Sequence, residues 1–179
     1  IDVSLDRNVS PIEVRVKVEP GPRTRVGSVA IDVTGPATHA TSPGPGAADR
    51  VRERFLLRPG DAFRQADWIE AKNAVVREMR RTPYAAASLT ASEARVDPGS
   101  ARADLALTLE SGPPFRFGPI AVQGTKRYPA SLAENFSTLE RGAPHDEAEI
   151  DTYVRRLAGS GYFGSVQASI DIDSANPDD

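Results

Sequence analysis

The sequence predicts an α+β chain of repeated β-α-α-β-β modules, each a small three-stranded sheet covered on one face by two helices. Three observations carry this. Short runs alternate apolar and polar residues, the period of a half-buried strand, while other runs place apolar residues three and four apart, the period of a helix on a core. The two kinds of run follow a fixed order. One phrase is also written twice, as "VEPGPRTRVGSVAIDVTG" from Val18 to Gly35 and as "LESGPPFRFGPIAVQG" from Leu109 to Gly124. Each copy has an acid, one residue, Gly-Pro, a basic residue, then Gly and an apolar-Ala-apolar triplet.

The elements follow in order. Ile1, Val3 and Leu5 alternate with polar residues, as do Ile12, Val14, Val16 and Val18, and the polar stretch Asn8 to Pro11 lies between them. That reads as a β-hairpin. Val29, Ile31 and Val33 form a third strand closed by Gly35. Residues 36–46, "PATHATSPGPG", are too rich in proline and glycine for regular structure and are expected to form a mobile surface loop. In "AADRVRERFLLR", Val51 and Phe55 share a helix face, and Arg58-Pro59-Gly60 stops the helix. In "ADWIEAKNAVVREMRR", Trp68, Ala71, Val75 and Met79 form one stripe. Thr82-Pro83 ends that helix, because the residue before proline avoids helical backbone. Leu89 and Val96 fall in a weak strand, "DPGS" turns the chain, and Leu105, Leu107 and Leu109 alternate in a better one.

The order then repeats. Ile120 and Val122 make a strand ending at Gly124, and Pro129 suits the first position of a helix bearing Leu132 and Phe136. Arg141-Gly142 stops it. Asp146 and Glu149 resemble a capping box before a helix with the stripe Ile150, Val154 and Leu157. "GSGYF" leads into a strand of Val166, Ala168, Ile170 and Ile172. Gly60 answers Gly142, Trp68 answers Ile150, and Tyr84 answers Tyr162. The doubled phrase is therefore the joint between units of a tandem array. The divisions are 1–21, the hairpin of a preceding unit; 22–111, a complete unit; and 112–179, a second unit without its final strand. The predicted cores are Val51, Phe55, Trp68, Val75 and Leu105 to Leu109 in the first unit, and Leu132, Phe136, Ile150, Val154 and Leu157 in the second. The chain opens inside a strand pattern, which reads as a piece of something longer.

Composition excludes several classes. The formal charge of -3 gives no basic nucleic-acid surface, and Arg50, Arg52, Arg54, Arg77, Arg80 and Arg81 stand among acids at helical spacing, as on a solvated face. No cysteine is present and no run approaches the roughly 20 apolar residues of a membrane helix. His39 and His145 are separate and read as exposed bystanders, so no metal site is expected. "GPGAAD" lacks the rest of a phosphate loop. Asp171, Asp173, Asp178 and Asp179 read as a solvated end rather than a calcium site. Trp68 and Phe63 read as core. No spacing marks a catalytic triad, and neither an enzyme nor a cofactor is expected.

The two joints, the stretch "LLRPGDAFRQADWIEAKNAVVREMRRTPYAAASL" with Lys72 on its helix, and "RLAGSGYFGSVQASID" resemble the POTRA domain family. POTRA domains are the periplasmic modules before the β-barrels of Omp85-superfamily outer-membrane proteins. The wording "GPPFRFGPIAV" is most similar to the TamA-type branch. Thr82-Pro83, where the family has a small residue and glycine, and the lengthened loop "THATSPGPGA" depart from the pattern. The resemblance implies a periplasmic assembly or translocation factor without catalysis. It implies unfolded outer-membrane or autotransporter polypeptides as clients, a TamB-like inner-membrane subunit as partner, and a barrel elsewhere in the parent protein. Clients would add a strand to a sheet edge. The candidate edges are Leu89 to Val96, including Leu89, Thr90 and Ala91, and Val166 to Ile172, including Val166, Gln167, Ala168, Ser169 and Ile170. The candidate inter-module joint is Gly21, Pro22, Gly112, Pro113 and Pro114, whose prolines predict a nearly fixed angle. A spacer role and a two-partner secretion transporter are the alternatives. Ile12–Val18 is also predicted to pair beside Val166–Ile172 in a strand-swapped dimer.

Overall fold

A computed structural model describes residues 2–6, 13–17, 21–39 and 46–172. Strands β1 (Asp2–Asp6) and β2 (Glu13–Lys17) pair antiparallel in a two-stranded sheet, with Leu5 opposite Val14. Ile1, Ile12, Val18 and the turn at 7–11 of the predicted hairpin lie outside the described residues. A second sheet holds β3 (Arg25–Thr34), β4 (Ser88–Asp97) and β5 (Arg102–Glu110) in the order β3-β5-β4. The last strand in sequence is therefore the middle one. It runs parallel to β3 and antiparallel to β4.

β5 fits the central place because one of its faces is wholly apolar. Ala103, Leu105, Leu107 and Leu109 are all buried, and the residues between them are more exposed. Val26 and Val33 of β3 join the same cluster. Helices α1 (Ala47–Glu53) and α2 (Gln65–Arg80) cover this face. The stripe Trp68, Ala71, Val75 and Met79 on α2 is buried as its spacing predicts. α1 is shorter than predicted and ends well before Arg58. Phe55 lies just past it and is still only 2% exposed, its ring edge-on to Trp68 at 6.4 Å. The expectation for residues 36–46 is corrected at its start. Pro36–Thr38 forms a 3-10 turn with Ala37 buried, tied down where Ala37 N donates to the fully buried Ser111. Residues 40–45 of that loop lie outside the described residues. The "DPGS" turn is closed by Asp97, whose carboxylate accepts from Ser100 Oγ at 2.6 Å and Gly99 N at 2.9 Å. Those bonds, Ser100's first, hold its pKa below the usual value.

The second unit supplies α3 (Ala130–Asn135) and α4 (Glu147–Gly159). Asp146 caps α4 by accepting from Ala148 N at 2.8 Å. The α4 face is shifted from the predicted register. Tyr153 and Leu157 are buried together with Ala133, whereas Leu132, Ile150 and Val154 are only half-buried. Tyr153 was missed because tyrosine is an ambiguous core residue until its hydroxyl finds a partner. Here it donates to Ala133 O at 2.9 Å. Phe136 is half-buried at the rim of this cluster.

The predicted strands at Ile120–Val122 and Val166–Ile172 are not formed among the described residues. Topology gives the reason. In the first unit β3 and β4 never pair with each other, and both take their ladder from β5. Residues 118–124 and 164–172 correspond to those two flanks, and no described residue lies between them as a central strand. Ile120, Val122 and Val166 nevertheless pack on the small helical cluster.

Two predictions follow from the packing. Phe55→Ala should cost about 3–5 kcal/mol. Phe136→Ala, at a less buried position, should cost less, read by denaturant unfolding. A larger loss from Phe136 would contradict its rim position. Burial, and after it the Glu134 carboxylate, raises the Tyr153 phenol above 10.0. A raised folded-state pKa means that its contribution is whole below pH 10 and drains away as pH climbs toward the folded value. Unfolding measured at about pH 8 and about pH 11 should show that loss in the second unit. Tyr153→Phe should flatten the part due to this residue.

Candidate functional site

Two features of the fold offer chemistry, the free edge of β4 and the joint between the units. β4 pairs only with β5 among the described residues, so its other side carries main-chain groups without a ladder. Leu89, Thr90 and Ala91 lie on it. Leu89 stands opposite Leu109 and Ala91 opposite Thr108, which leaves Thr90 as a bulge. Thr90 Oγ1 holds the bulge by donating to Thr108 O at 3.2 Å. Beyond the bulge the register is regular from Ala91 to Asp97. The longest straight edge is thus Ala91–Asp97, which overlaps the candidate stretch Leu89 to Val96 except for Leu89 and Thr90 at its start and Asp97 at its end.

The two faces of β4 differ. Ser92, Ala94 and Val96 stand opposite Leu107, Leu105 and Ala103, so they share the face that bears the helices. Glu93 and Arg95 stand on the outer face and pair with each other at 3.1 Å. On the helical side α2 presents Lys72, whose Nζ lies 3.5 Å from Ser92 Oγ and 5.4 Å from the Trp68 ring centre. The other candidate edge, Val166 to Ile170, is not a strand here. Val166 is half-buried, Gln167, Ala168 and Ser169 are exposed, and Ile170 is 46% exposed.

The joint repeats the same construction in each unit. In the first, Val26 N donates to Asp61 O, Gly60 N to Val26 O and Phe63 N to Thr24 O. In the second, Phe117 N donates to Ala143 O, Gly142 N to Phe117 O and His145 N to Phe115 O. Arg25 Nη1 reaches Gly60 O, and Arg116 Nη1 reaches Gly142 O, both at 2.8 Å. The glycines have φ 96° and 84°, a left-handed backbone that side chains disfavour. His145 therefore stands where the first unit has Phe63.

The position corrects the reading of His145 as an exposed bystander. It is 3% exposed, its ring edge-on to Phe117 at 5.7 Å. Nδ1 lies 2.8 Å from Thr82 O in the first unit, and since a carbonyl only accepts, the hydrogen sits on Nδ1. Nε2 is buried without a partner among the described residues. Two main-chain bonds flank this contact, Phe115 N to Pro83 O at 2.7 Å and Glu147 N to Arg81 O at 3.1 Å. Arg81 adds half-exposed ion pairs to Glu147 at 3.2 Å and Asp151 at 3.7 Å. His39 is exposed in the loop. Of the predicted joint residues, Gly112 turns the chain at φ 65° against Ala86, while Pro113 and Pro114 are exposed, as are Gly21 and Pro22. Sequence spacing offered one clue to His145, its alignment with Phe63 across the repeat.

No group of three or more His, Asp or Glu able to hold a metal occurs among the described residues. No described helix is long and apolar enough to cross a membrane.

The joint generates a test. His145→Ala removes the contact to Thr82 O and opens space beside Phe117. If the histidine holds the angle, small-angle scattering of this variant should need a broader spread of inter-unit angles than the parent chain. Arg81→Ala, which loses only exposed ion pairs, should leave the profile unchanged. An unchanged His145→Ala profile would assign the angle to Pro113 and Pro114 instead.

Comparison with known proteins fits this geometry. Residues 115–179 match the POTRA family model, described as "Surface antigen variable number repeat". Among solved structures the chain is similar to POTRA3-5 of BamA from Haemophilus influenzae, with TM-score 0.65 and 20% identity over 98% of this chain. It is also similar to BamA from Haemophilus ducreyi lacking POTRA domains 1-3, with TM-score 0.61 and 12% identity over 86% of this chain. The chain spans 66% of the first of those chains and 27% of the second. No curated protein matches it. Likeness at these identities speaks for the fold, and the chain has the mixed α/β fold of POTRA domains, with the family's sequence pattern matched over residues 115–179.

Proposed function

We propose that the chain is part of the periplasmic POTRA region of an Omp85-type outer-membrane assembly or translocation factor. In this reading the units divide at 1–21, 22–111 and 112–179. It takes extended client polypeptides, such as unfolded outer-membrane or autotransporter chains, by strand addition at β4. The observation that carries this is the free side of β4, with Ala91–Asp97 in regular register beside the helical face. Main-chain bonding needs no particular client sequence, which suits a receptor for many unfolded chains. The doubled joint wording is the support for the TamA-type branch, and with it a TamB-like inner-membrane partner. A spacer role is the second reading, favoured by the buried His145 contact that ties the units together.

Two adjacent proline substitutions test strand addition. Neighbouring strand residues point their N–H groups to opposite sides, so of Ser92→Pro and Glu93→Pro one breaks the β5 ladder and the other only closes the free side. The first should destabilise the unit. The second should keep its stability yet abolish the saturable amide shifts that extended, alternating apolar peptides cause on Ala91–Asp97. Shifts that survive the stable proline variant, or no shifts at millimolar peptide in the parent chain, would favour the spacer.

A further inference from the structure

We infer that Lys72 makes the groove between β4 and α2 select extended segments carrying a carboxylate opposite Ser92. The inference rests on strand addition at β4 and adds to it a chemical preference. A strand added to β4 would lie about 4.8 Å outside it, and its inward side chains would stand over the flank of α2. That flank carries Ile69, Lys72 and Val76, three and four residues apart on one face. Ile69 is 47% exposed and Val76 is half-buried, one on each side of Lys72 along the helix, and Val96 on β4 is 43% exposed. The groove thus offers apolar contact at both ends and one cation in the middle.

Lys72 is the unsatisfied member of this set. Its ammonium has the Trp68 ring and the Ser92 hydroxyl, but no carboxylate among the described residues. The neighbouring charges are occupied elsewhere. Glu93 and Arg95 pair on the outer face, Arg80 Nε donates to Ala87 O at 2.7 Å, and Glu70 pairs with Arg77 at 2.6 Å. Trp68 is buried and holds the lysine stem in place, so the cation is positioned before any partner arrives. A half-buried, preplaced cation among apolar side chains favours a carboxylate over an amide, and an amide over a second cation. The recognised feature is a segment of alternating apolar residues with Asp or Glu at one inward position.

The test uses three peptides that differ only at the central inward position, which holds Glu, Gln or Lys. They are titrated into the chain and followed by amide shifts on Ala91–Asp97. At low salt the Glu peptide should bind about fivefold tighter than the Gln peptide, and the Lys peptide more weakly than either. About 1 M salt, which screens beyond about 3 Å, should erase the ranking while the shifts persist. Lys72→Met keeps the stem on Trp68 and should bind the three peptides alike. Equal affinities for Glu and Gln, with β4 amides still shifting, would overturn the role of Lys72 and leave strand addition intact. A ranking that persists in Lys72→Met would overturn it too. No shift with any peptide would remove both readings.

Discussion

The ladder through β5 is the interaction on which the rest of the first unit depends. β3 and β4 are separated by two helices in sequence and never touch as a pair. Each is held only because β5 offers one side of its backbone to each, parallel on one side and antiparallel on the other. Four apolar side chains of β5 then seal the helices onto that sheet. Residues 118–124 and 164–172 correspond to the two flanks, and no described residue joins them as a middle strand. They keep apolar contact with α3 and α4 but form no ladder among the described residues. Burial alone places a flank, and hydrogen bonding to a middle strand makes it a strand.

The same topology decides which backbone is free. A middle strand has no open side, so the edge falls to β3 and β4. A long, straight edge is a hazard that proteins blunt with bulges and charges. β4 does both, with Thr90 as the bulge and Glu93, Arg95 and Asp97 along its length. Yet the bulge stands near one end and leaves a regular stretch after it. The charges at 93 and 95 face away from the helices. The protection is therefore one-sided, and the face that remains apolar is the one beside α2.

Much of this was legible in the sequence where one period sufficed. The α2 stripe, the Leu105–Leu109 strand and the repeated joint need only local spacing. Legibility failed where two rules competed. Leu89 and Val96 are an odd number of residues apart, so strict alternation puts them on opposite faces. The bulge at Thr90 restores them to one face, and no local signal announces it. Phe55 has the right spacing for a helix that has already ended, because its burial comes from Trp68 rather than from α1. Tyr153 became core through a hydroxyl contact to Ala133, which depends on how α3 meets α4.

His145 is the instructive failure. Taken by itself, a lone histidine in a Pro- and Gly-flanked turn reads as solvent-exposed. Taken through the repeat, it occupies the place of Phe63, an aromatic that precedes a helix. The difference between the two residues adds one more bond to those that join the units. A phenylalanine there can only pack, whereas the imidazole also bonds a carbonyl of the preceding unit. That carbonyl belongs to Thr82, the residue before Pro83. Proline has no N–H, so the corner presents acceptors outward, and Arg81, Thr82 and Pro83 each give their carbonyl to the second unit. The departure at Thr82-Pro83 and the histidine at 145 thus meet at one contact. A stiff corner with exposed carbonyls gains a donor from the next unit's turn. Main-chain and imidazole bonds tie the units together there, with Pro113 and Pro114 exposed on the connection.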